Sequence, residues 1–274
     1  MVTYYVCTRQ MEQVITSGQN PRVKAIVALQ QKAAERRRTG LFVVEGVREI
    51  GHVLRAGYEV ETLFICHEIL DESAIAGWRF DGEVIAVSPH VYAKMAYREG
   101  TEGVLAVVRA CNMNLEDLPE ARTPLYVVME SVEKPGNLGA VLRTADAAHA
   151  DALIVCDPLT DLYNPNLIRS SIGARFTVPT VACTSEECIR FLKRRGIRIL
   201  TAQLQDSSLY YDVDMRQGTA LVMGTESTGL TDQWRRAADF HIRIPMLGSL
   251  DSLNVSVSAS ILLFEAVRQR LMEK

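Results

Sequence analysis

LYVVMESVEKPGNLGAVLRTADA, residues 125–147, reads as a strand, a tight turn and a helix in succession. LYVVME is a continuous apolar run, which suits a strand in a parallel sheet covered on both faces. Pro135, Gly136 and Gly139 shape the turn, Asn137 stands near the helix start, and Arg143 falls about two turns into the helix. By itself the segment is an ordinary strand–loop–helix connection with a capping asparagine.

Working outward, ALIVC (152–156), TVPTVAC (177–183), IRILTAQ (197–203), TALVMG (219–224) and FHIRIPM (240–246) are further strands, with helical segments between most of them. A long helix is expected from about Ser252 to Met272. Residues 124–274 are therefore one α/β domain with a mostly parallel sheet. Upstream, Cys111–Pro124 is polar, contains two prolines and lacks periodicity, so residues 111–123 read as a linker. Residues 1–110 form a smaller α/β domain. Asn20-Pro21 opens a helix that carries Val23, Ile26, Val27 and Ala34 and ends in Arg36-Arg37-Arg38 before Gly40. LFVVEG, TLFIC, VIAVS and VLAVVRA follow as strands, with VREIGHVLRAG and PHVYAKMA as helices.

Lys plus Arg number 30 against 33 Asp plus Glu, and the formal charge of −3 excludes the strongly basic balance of a nonspecific nucleic-acid coat. Any nucleic-acid contact has to come from a local patch. Residues 1–55 hold nine basic and four acidic residues. Arg36, Arg37 and Arg38 have two compatible readings: cations opposing a helix dipole at its C-terminus, or a patch that contacts phosphate. Arg169, in LIRSSIG, is either on a solvated helix face or a further phosphate contact. Cys7, Cys66, Cys111, Cys156, Cys183 and Cys188 include no C-x-x-C pair, so no zinc site is expected and the thiols read as buried and reduced. MVTYYVCTRQ lacks the pattern of a signal peptide and no apolar run has the length of a membrane span, which points to a soluble cytoplasmic protein.

Two more segments look over-specified for packing. In LVMGTESTGL, residues 221–230, a strand runs into a glycine-rich turn bearing Glu226, and Gly224 and Gly229 let backbone approach another chain or a ligand. In HIRIPMLGSLDSLNVSVSASILLFE, residues 241–265, a strand ends at Ile244-Pro245-Met246. A loop with Gly248 follows, and Ser252, Asn254, Ser256 and Ser258 enter a helix. Ser256 and Ser258 read as packing residues that allow close helix contact.

Taken together, the three segments resemble the signature motifs of the SpoU RNA 2′-O-ribose methyltransferases. N-x-G-A-x-x-R-T matches Asn137–Thr144, G-x-E-x-x-G-L matches Gly224–Leu230, and I-P-M-x-G-x-x-x-S-L-N-V-S matches Ile244–Ser256, in the family's order. FVVEG at residues 42–46 and the pattern after it resemble, more loosely, the ribosomal-protein-like RNA-binding domain often fused ahead of this catalytic domain. That fusion is typical of members acting on 23S ribosomal RNA and of thiostrepton-resistance methyltransferases. The resemblance implies a C-terminal parallel-sheet domain threaded into a deep trefoil knot and an obligate homodimer whose active site is completed across the interface. It implies S-adenosylmethionine bound by Met223, Gly224, Ile244, Met246 and Leu253, and no metal. Arg143 is then the candidate catalytic residue. A free guanidinium is a very poor base, with a pKa above about 12, so positioning and electrostatic stabilisation are the surer role. Glu226 and Asn137 are candidates to anchor Arg143, and Ser252 and Asn254 to hold the substrate ribose or the knotted loop.

Other classes fit less well. The turn after LYVVME lacks the G-x-G of a conventional dinucleotide-type fold, no P-loop is present, and the five histidines are too scattered for a hydrolytic triad. A transfer-RNA methyltransferase and a non-catalytic RNA-binding assembly factor on the same fold remain the alternatives.

Overall fold

The computed structural model describes residues 14–97, 102–225 and 228–272. They fall into two compact units: the chain up to Cys111 together with Asp161–Phe176, and Asn112–Thr160 together with the chain from Thr177 onward. The first unit begins α1 (Pro21–Gln31), α2 (Ala33–Thr39), β1 (Leu41–Glu45), α3 (Val47–Arg55), β2 (Val60–Ile65), β3 (Glu83–Ala86), α4 (Pro89–Met95) and β4 (Val104–Arg109). Next come β5 (Leu125–Glu130), α5 (Pro135–Ala147) and β6 (Ala152–Cys156) of the second unit, then α6 (Pro165–Ser170) of the first. The second unit continues with β7 (Thr180–Cys183), α7 (Ser185–Arg194), β8 (Arg198–Ala202), β9 (Ser208–Leu209), β10 (Thr219–Met223), α8 (Asp232–Ala237), β11 (Phe240–Arg243) and α9 (Val255–Leu271).

In the first unit the sheet order is β1-β4-β2-β3, with β4 antiparallel to β1 and β2, and β3 parallel to β2. Side chains alternate along each strand. Val43, Leu105 and Val107 meet Val23, Ile26 and Leu29 of α1 and Val91 and Met95 of α4. Phe42, Val44, Val104 and Ala106 face the other way, onto Ile50 and Val53 of α3 and onto Tyr163, Ile168 and Phe176. Those last three explain why a segment from the middle of the downstream sequence belongs to this unit. Tyr163 stacks on Phe42 with ring centroids 4.3 Å apart, and its hydroxyl accepts from Cys111 N at 2.9 Å and donates to Cys111 O.

The sequence predicts one helix running from Asn20-Pro21 into the arginine triplet, but the chain breaks at Lys32, whose φ and ψ of −120° and 110° are extended. Arg36 accounts for the break. Its Nη1 donates to Leu29 O (2.5 Å) and Gln30 O (3.1 Å), the terminal carbonyls of α1, and its Nε donates to Asp161 Oδ2 (2.5 Å). A helix end leaves such carbonyls without partners, and a guanidinium with several fixed donors satisfies them. Only 5% of Arg36 is exposed, so its reading as a phosphate contact is corrected: its donors are turned into the protein. Arg37 is exposed, and the exposed Arg38 is paired with Glu35. Breaking a buried pair leaves an uncompensated charge and costs about 3–5 kcal/mol. Arg36→Ala is therefore expected to lower the thermal midpoint by roughly 10 °C, and Arg37→Ala to leave it unchanged; equal midpoints in a melting comparison would contradict this role.

The second unit has a seven-stranded sheet in the order β7-β6-β5-β10-β8-β11-β9, with every pair parallel. All residues of β5, β6 and β10 are buried, as expected for a parallel sheet covered on both faces. The stretch read as a linker is more than that, because Leu115 and Leu118 enter the core of this unit beside Tyr126 and Phe191. The two-residue β9 was not legible in the sequence. The last helix starts at Val255, three residues later than expected, because Asn254 caps it. Near its end, Arg270 donates to Met215 O (3.0 Å), Thr123 O (2.8 Å) and Gln217 O (2.8 Å), which clips α9 to the start of β5 and to the turn before β10. Among the described residues no helix is long and apolar enough to cross a membrane.

Candidate cofactor and catalytic site

The chain order of the second sheet creates a switch point. From β5 it steps outward through β6 and β7, returns to β8 on the far side, and only then inserts β10 between β5 and β8. Open α/β sheets bind ligands outside the carboxyl ends of their strands at such a point. A cleft of about 450 Å³ lies there, within the ~300–1,000 Å³ range of small-molecule sites. Its walls are Ala202–Gln205 after β8, Met223–Thr225 and Thr228–Leu230 after β10, Arg235 of α8, and Ser252, Leu253, Val255 and Ser258 at the head of α9.

At Gly224 the chain approaches itself closely. A Cβ built there lies 2.3 Å from Gly229 C and O and 2.6 Å from Leu230 N, so no side chain fits. The loop returns on itself through an antiparallel bridge between Thr225 and Gly229, with Gly229 N donating to Thr225 O (3.1 Å) and Thr228 N to Thr225 Oγ1 (3.0 Å). The second motif thereby becomes a tight backbone wall beside Met223. Glu226 lies outside the described residues.

An adjoining cleft of about 170 Å³ is lined by Val132–Lys134, Asn137, Gly224, Thr225 and Val255, so residues from all three motifs share it. Asn254 Oδ1 accepts from Ser256 N (3.0 Å) and Ser256 Oγ (2.6 Å) as the N-cap of α9, and its Nδ2 donates to Asn137 Oδ1 (3.2 Å). Two turns further along, Thr144 Oγ1 meets Ser260 Oγ at 2.9 Å. The polar residues of the first and third motifs thus tie α5 to α9 and hold the rim of the cleft.

Of the residues singled out from sequence, Met223, Gly224, Leu253 and Ser252 line the larger cleft, and Asn137 and Gly224 the adjoining one. Ile244 and Met246 are half-buried on the stretch after β11 and are not among the residues lining either cleft. Asn137 does not meet Arg143. Six residues apart on one helix, they stand ~9 Å apart along the axis and ~120° around it, and the Asn137 amide engages Asn254 instead. Arg143 is exposed, and its guanidinium makes no hydrogen bond or ion pair with the described residues. Arg169, in the first unit, is exposed and lines a cavity of about 30 Å³ beside Glu45 and Glu49, acidic neighbours for a proposed phosphate contact. The sequence reading missed Gln203, Thr225, Thr228 and Arg235 as cleft walls, the Thr144–Ser260 contact, and Ser258, which was read as packing. Only the order of the strands brings the loop after β8 to this site, and no local pattern signals it.

Comparison with known proteins agrees with this geometry. A family model described as the SpoU rRNA Methylase family matches residues 124–264, and one described as an MRM3-like substrate binding domain matches residues 20–106. The chain is 33% identical over 269 residues to the 23S rRNA (uridine(2479)-2′-O)-methyltransferase of Streptomyces viridochromogenes, covering 93% of this chain and 92% of that protein. It is 30% identical over 251 residues to the 23S rRNA (guanosine(2553)-2′-O)-methyltransferase RlmP of Bacillus subtilis, covering 91% of this chain and 97% of the relative. The crystal structure of the SpoU methyltransferase AviRb from Streptomyces viridochromogenes in complex with AdoMet superposes with a TM-score of 0.86 at 32% identity, covering 92% of this chain and 99% of that one. With a matching family model over its second half and full-length relatives at this identity, the chain belongs to the SpoU rRNA methylase family.

Proposed function

We propose that this protein transfers a methyl group from S-adenosylmethionine to a ribose 2′-hydroxyl of 23S ribosomal RNA, in the cytoplasm, as a homodimer. The observation that carries the proposal is the cleft at the switch point, into which the second and third motifs bring a tight backbone turn and the head of a helix. The chemistry of its walls fits the cofactor. Met223, Leu253, Val255 and Leu230 supply apolar surface, the turn around Gly224 supplies main-chain donors and acceptors, and the volume suits a nucleoside-sized ligand. Ile244 and Met246 complete the pocket in this reading. A trefoil knot belongs to it as well, supported by the close crossing at Gly224 and by the return of α9 onto α5, β5 and β10.

The bound cofactor supplies an electrophilic methyl on a sulfonium. The ribose hydroxyl that would take this methyl would give up its proton to solvent or to a neighbouring base. The chain's own task is to hold the hydroxyl in line and to stabilise its developing negative charge. Arg143 suits that task through a guanidinium that can hold both a hydroxyl and an adjacent phosphate. It stands away from Asn137, which fits a site completed by a second copy of the chain. Asn137 and Asn254 keep α5 and α9 in register, Ser252, which lines the larger cleft, is the candidate to hold the ribose, and Glu226 is the candidate anchor for the arginine. Exposed Arg37, Arg38 and Arg169 are the candidates for RNA phosphate on the first unit.

The dimer reading is supported by α9, whose Val257 and Phe264 are 46% and 48% exposed and lie two turns apart on one face. Val257→Asp combined with Phe264→Asp is expected to give a monomer in light scattering and to reduce methyl transfer at least tenfold. A persistent dimer, or a monomer of full activity, would count against it. Calorimetry with S-adenosylmethionine tests the enzyme reading itself: one site per chain is expected, and no binding by the folded protein would overturn it.

A further inference from the structure

Three cysteines that lie far apart in sequence meet at the carboxyl edge of the second sheet. Cys156 ends β6, Cys183 ends β7, and Cys188 sits in the first turns of α7; the three sulfurs all lie within 4.8 Å of one another, with Cys156 Sγ and Cys183 Sγ 4.0 Å apart. We infer that Cys156, Cys183 and Cys188 form a binding site for one thiophilic d¹⁰ cation of the Zn²⁺ class, separate from the methyl-transfer cleft.

The spacing fits a metal better than a disulfide. A Zn–S bond is about 2.3 Å, so thiolates sharing a zinc ion stand ~3.8–4.0 Å apart, which is the separation already present between Cys156 and Cys183. A disulfide would need the sulfurs to close to about 2.05 Å, and the two residues are fixed in register on adjacent strands. The frame around the thiols is rigid. Asp157 has a positive φ of 48° and its N–H donates to Cys183 O (2.9 Å), locking β6 to β7. Asp157 Oδ2 accepts from Ser185 N (3.2 Å) and Ser185 Oγ (2.6 Å), which ties the same corner to the start of α7. Ser185 Oγ in turn accepts from the buried Trp234 Nε1 (2.9 Å).

Charge and access agree with this assignment. Cys183 immediately precedes the N-cap Thr184 of the ten-residue α7, and Cys188 lies in its first turns, where the helix dipole favours thiolate. Cys156 and Cys188 are buried and Cys183 is half-buried, so solvent reaches the cluster on the Cys183 side and can supply a fourth ligand. On binding, three S–H bonds break, three metal–sulfur bonds form and three protons pass to the buffer, with no change of oxidation state. The absence of any C-x-x-C pair, from which no metal was expected, does not bear on a site whose ligands come from two strands and a helix.

The test uses the full-length protein, reduced and stripped of metal. Cd²⁺ is titrated while thiolate-to-metal absorption is followed, and Zn²⁺ affinity is measured against a chromophoric chelator. One equivalent per chain with the absorption of about three thiolates is expected. Cys183→Ser, and separately Cys156→Ala, should each weaken binding on the order of 100-fold or more. Cys111→Ala should leave metal binding unchanged, and S-adenosylmethionine calorimetry on every variant reports whether it is folded. Failure to take up one equivalent, or uptake that survives Cys183→Ser, would overturn the assignment. So would a chain two daltons lighter under non-reducing conditions that takes up no metal, which would make the cluster a redox pair.

Discussion

Arg143→Ala is expected to abolish methyl transfer while S-adenosylmethionine still binds. Arg143 projects from α5 into solvent and has no hydrogen-bond or ion-pair partner among the described residues, so its removal breaks no contact that holds the fold. The residues of the same helix that do hold it, Asn137 and Thr144, face α9 and are untouched. The cleft assigned to the cofactor is walled by the loops after β8 and β10 and by the head of α9, and Arg143 is not among its lining residues. Losing a preorganised charged donor that acts on the developing oxyanion costs roughly 10²–10³ in rate. If the same residue also orients the hydroxyl, the loss is larger, because a misplaced nucleophile costs about another 10²-fold. Arg143→Lys keeps the charge and loses the planar fork, so it should recover only a small part of the activity. The check is single-turnover transfer alongside cofactor calorimetry. Retained activity, or cofactor affinity lost together with activity, would remove Arg143 from the catalytic role.

Gly224→Ala is expected to remove cofactor binding, with methyl transfer falling in parallel. The added methyl would sit 2.3 Å from the carbonyl group of Gly229 and 2.6 Å from Leu230 N, and all these atoms belong to backbone that cannot swing aside. The turn from Thr225 to Gly229 would have to open, breaking its bridge and moving the wall beside Met223. Strain of this kind costs about 1–3 kcal/mol, and a site displaced by it loses its main-chain contacts as well. The expected result is at least a 100-fold weaker affinity in a protein whose circular dichroism and β10 packing are unchanged. Normal affinity in this variant would mean that the turn does not form the cofactor wall.

The course of the second sheet was largely legible because its strands announce themselves. LYVVME, ALIVC and TALVM are apolar without alternation, and all three are central strands buried on both faces. The order in which they pair was not legible, since β10 enters between β5 and β8 through contacts that no local pattern encodes. The same limit applies to the site. The three motifs pointed to Asn137, Gly224, Ser252, Leu253 and Asn254, but Gln203 and Arg235 are cleft walls only because of strand order.

Arg36 shows a different limit. In sequence it is one of three equivalent arginines, and the carboxylate that draws it inward, Asp161, lies 125 residues away. Once it is buried, the helix must break at Lys32 to deliver its end carbonyls to the guanidinium. Asp161–Phe176 was likewise read with the downstream domain by position, while Tyr163, Ile168 and Phe176 bury their apolar surface in the first unit. Cys156, Cys183 and Cys188 looked like isolated core thiols for the same reason: parallel neighbours bring the ends of distant strands together.

The most direct measurement is methyl transfer from labelled S-adenosylmethionine to total ribosomal RNA and, separately, to total transfer RNA, with the product nucleoside identified by mass spectrometry. The expected result is a single 2′-O-methylated nucleoside in the 23S ribosomal RNA and none in transfer RNA. Label confined to transfer RNA, or label in neither pool from a protein that binds the cofactor, would contradict it.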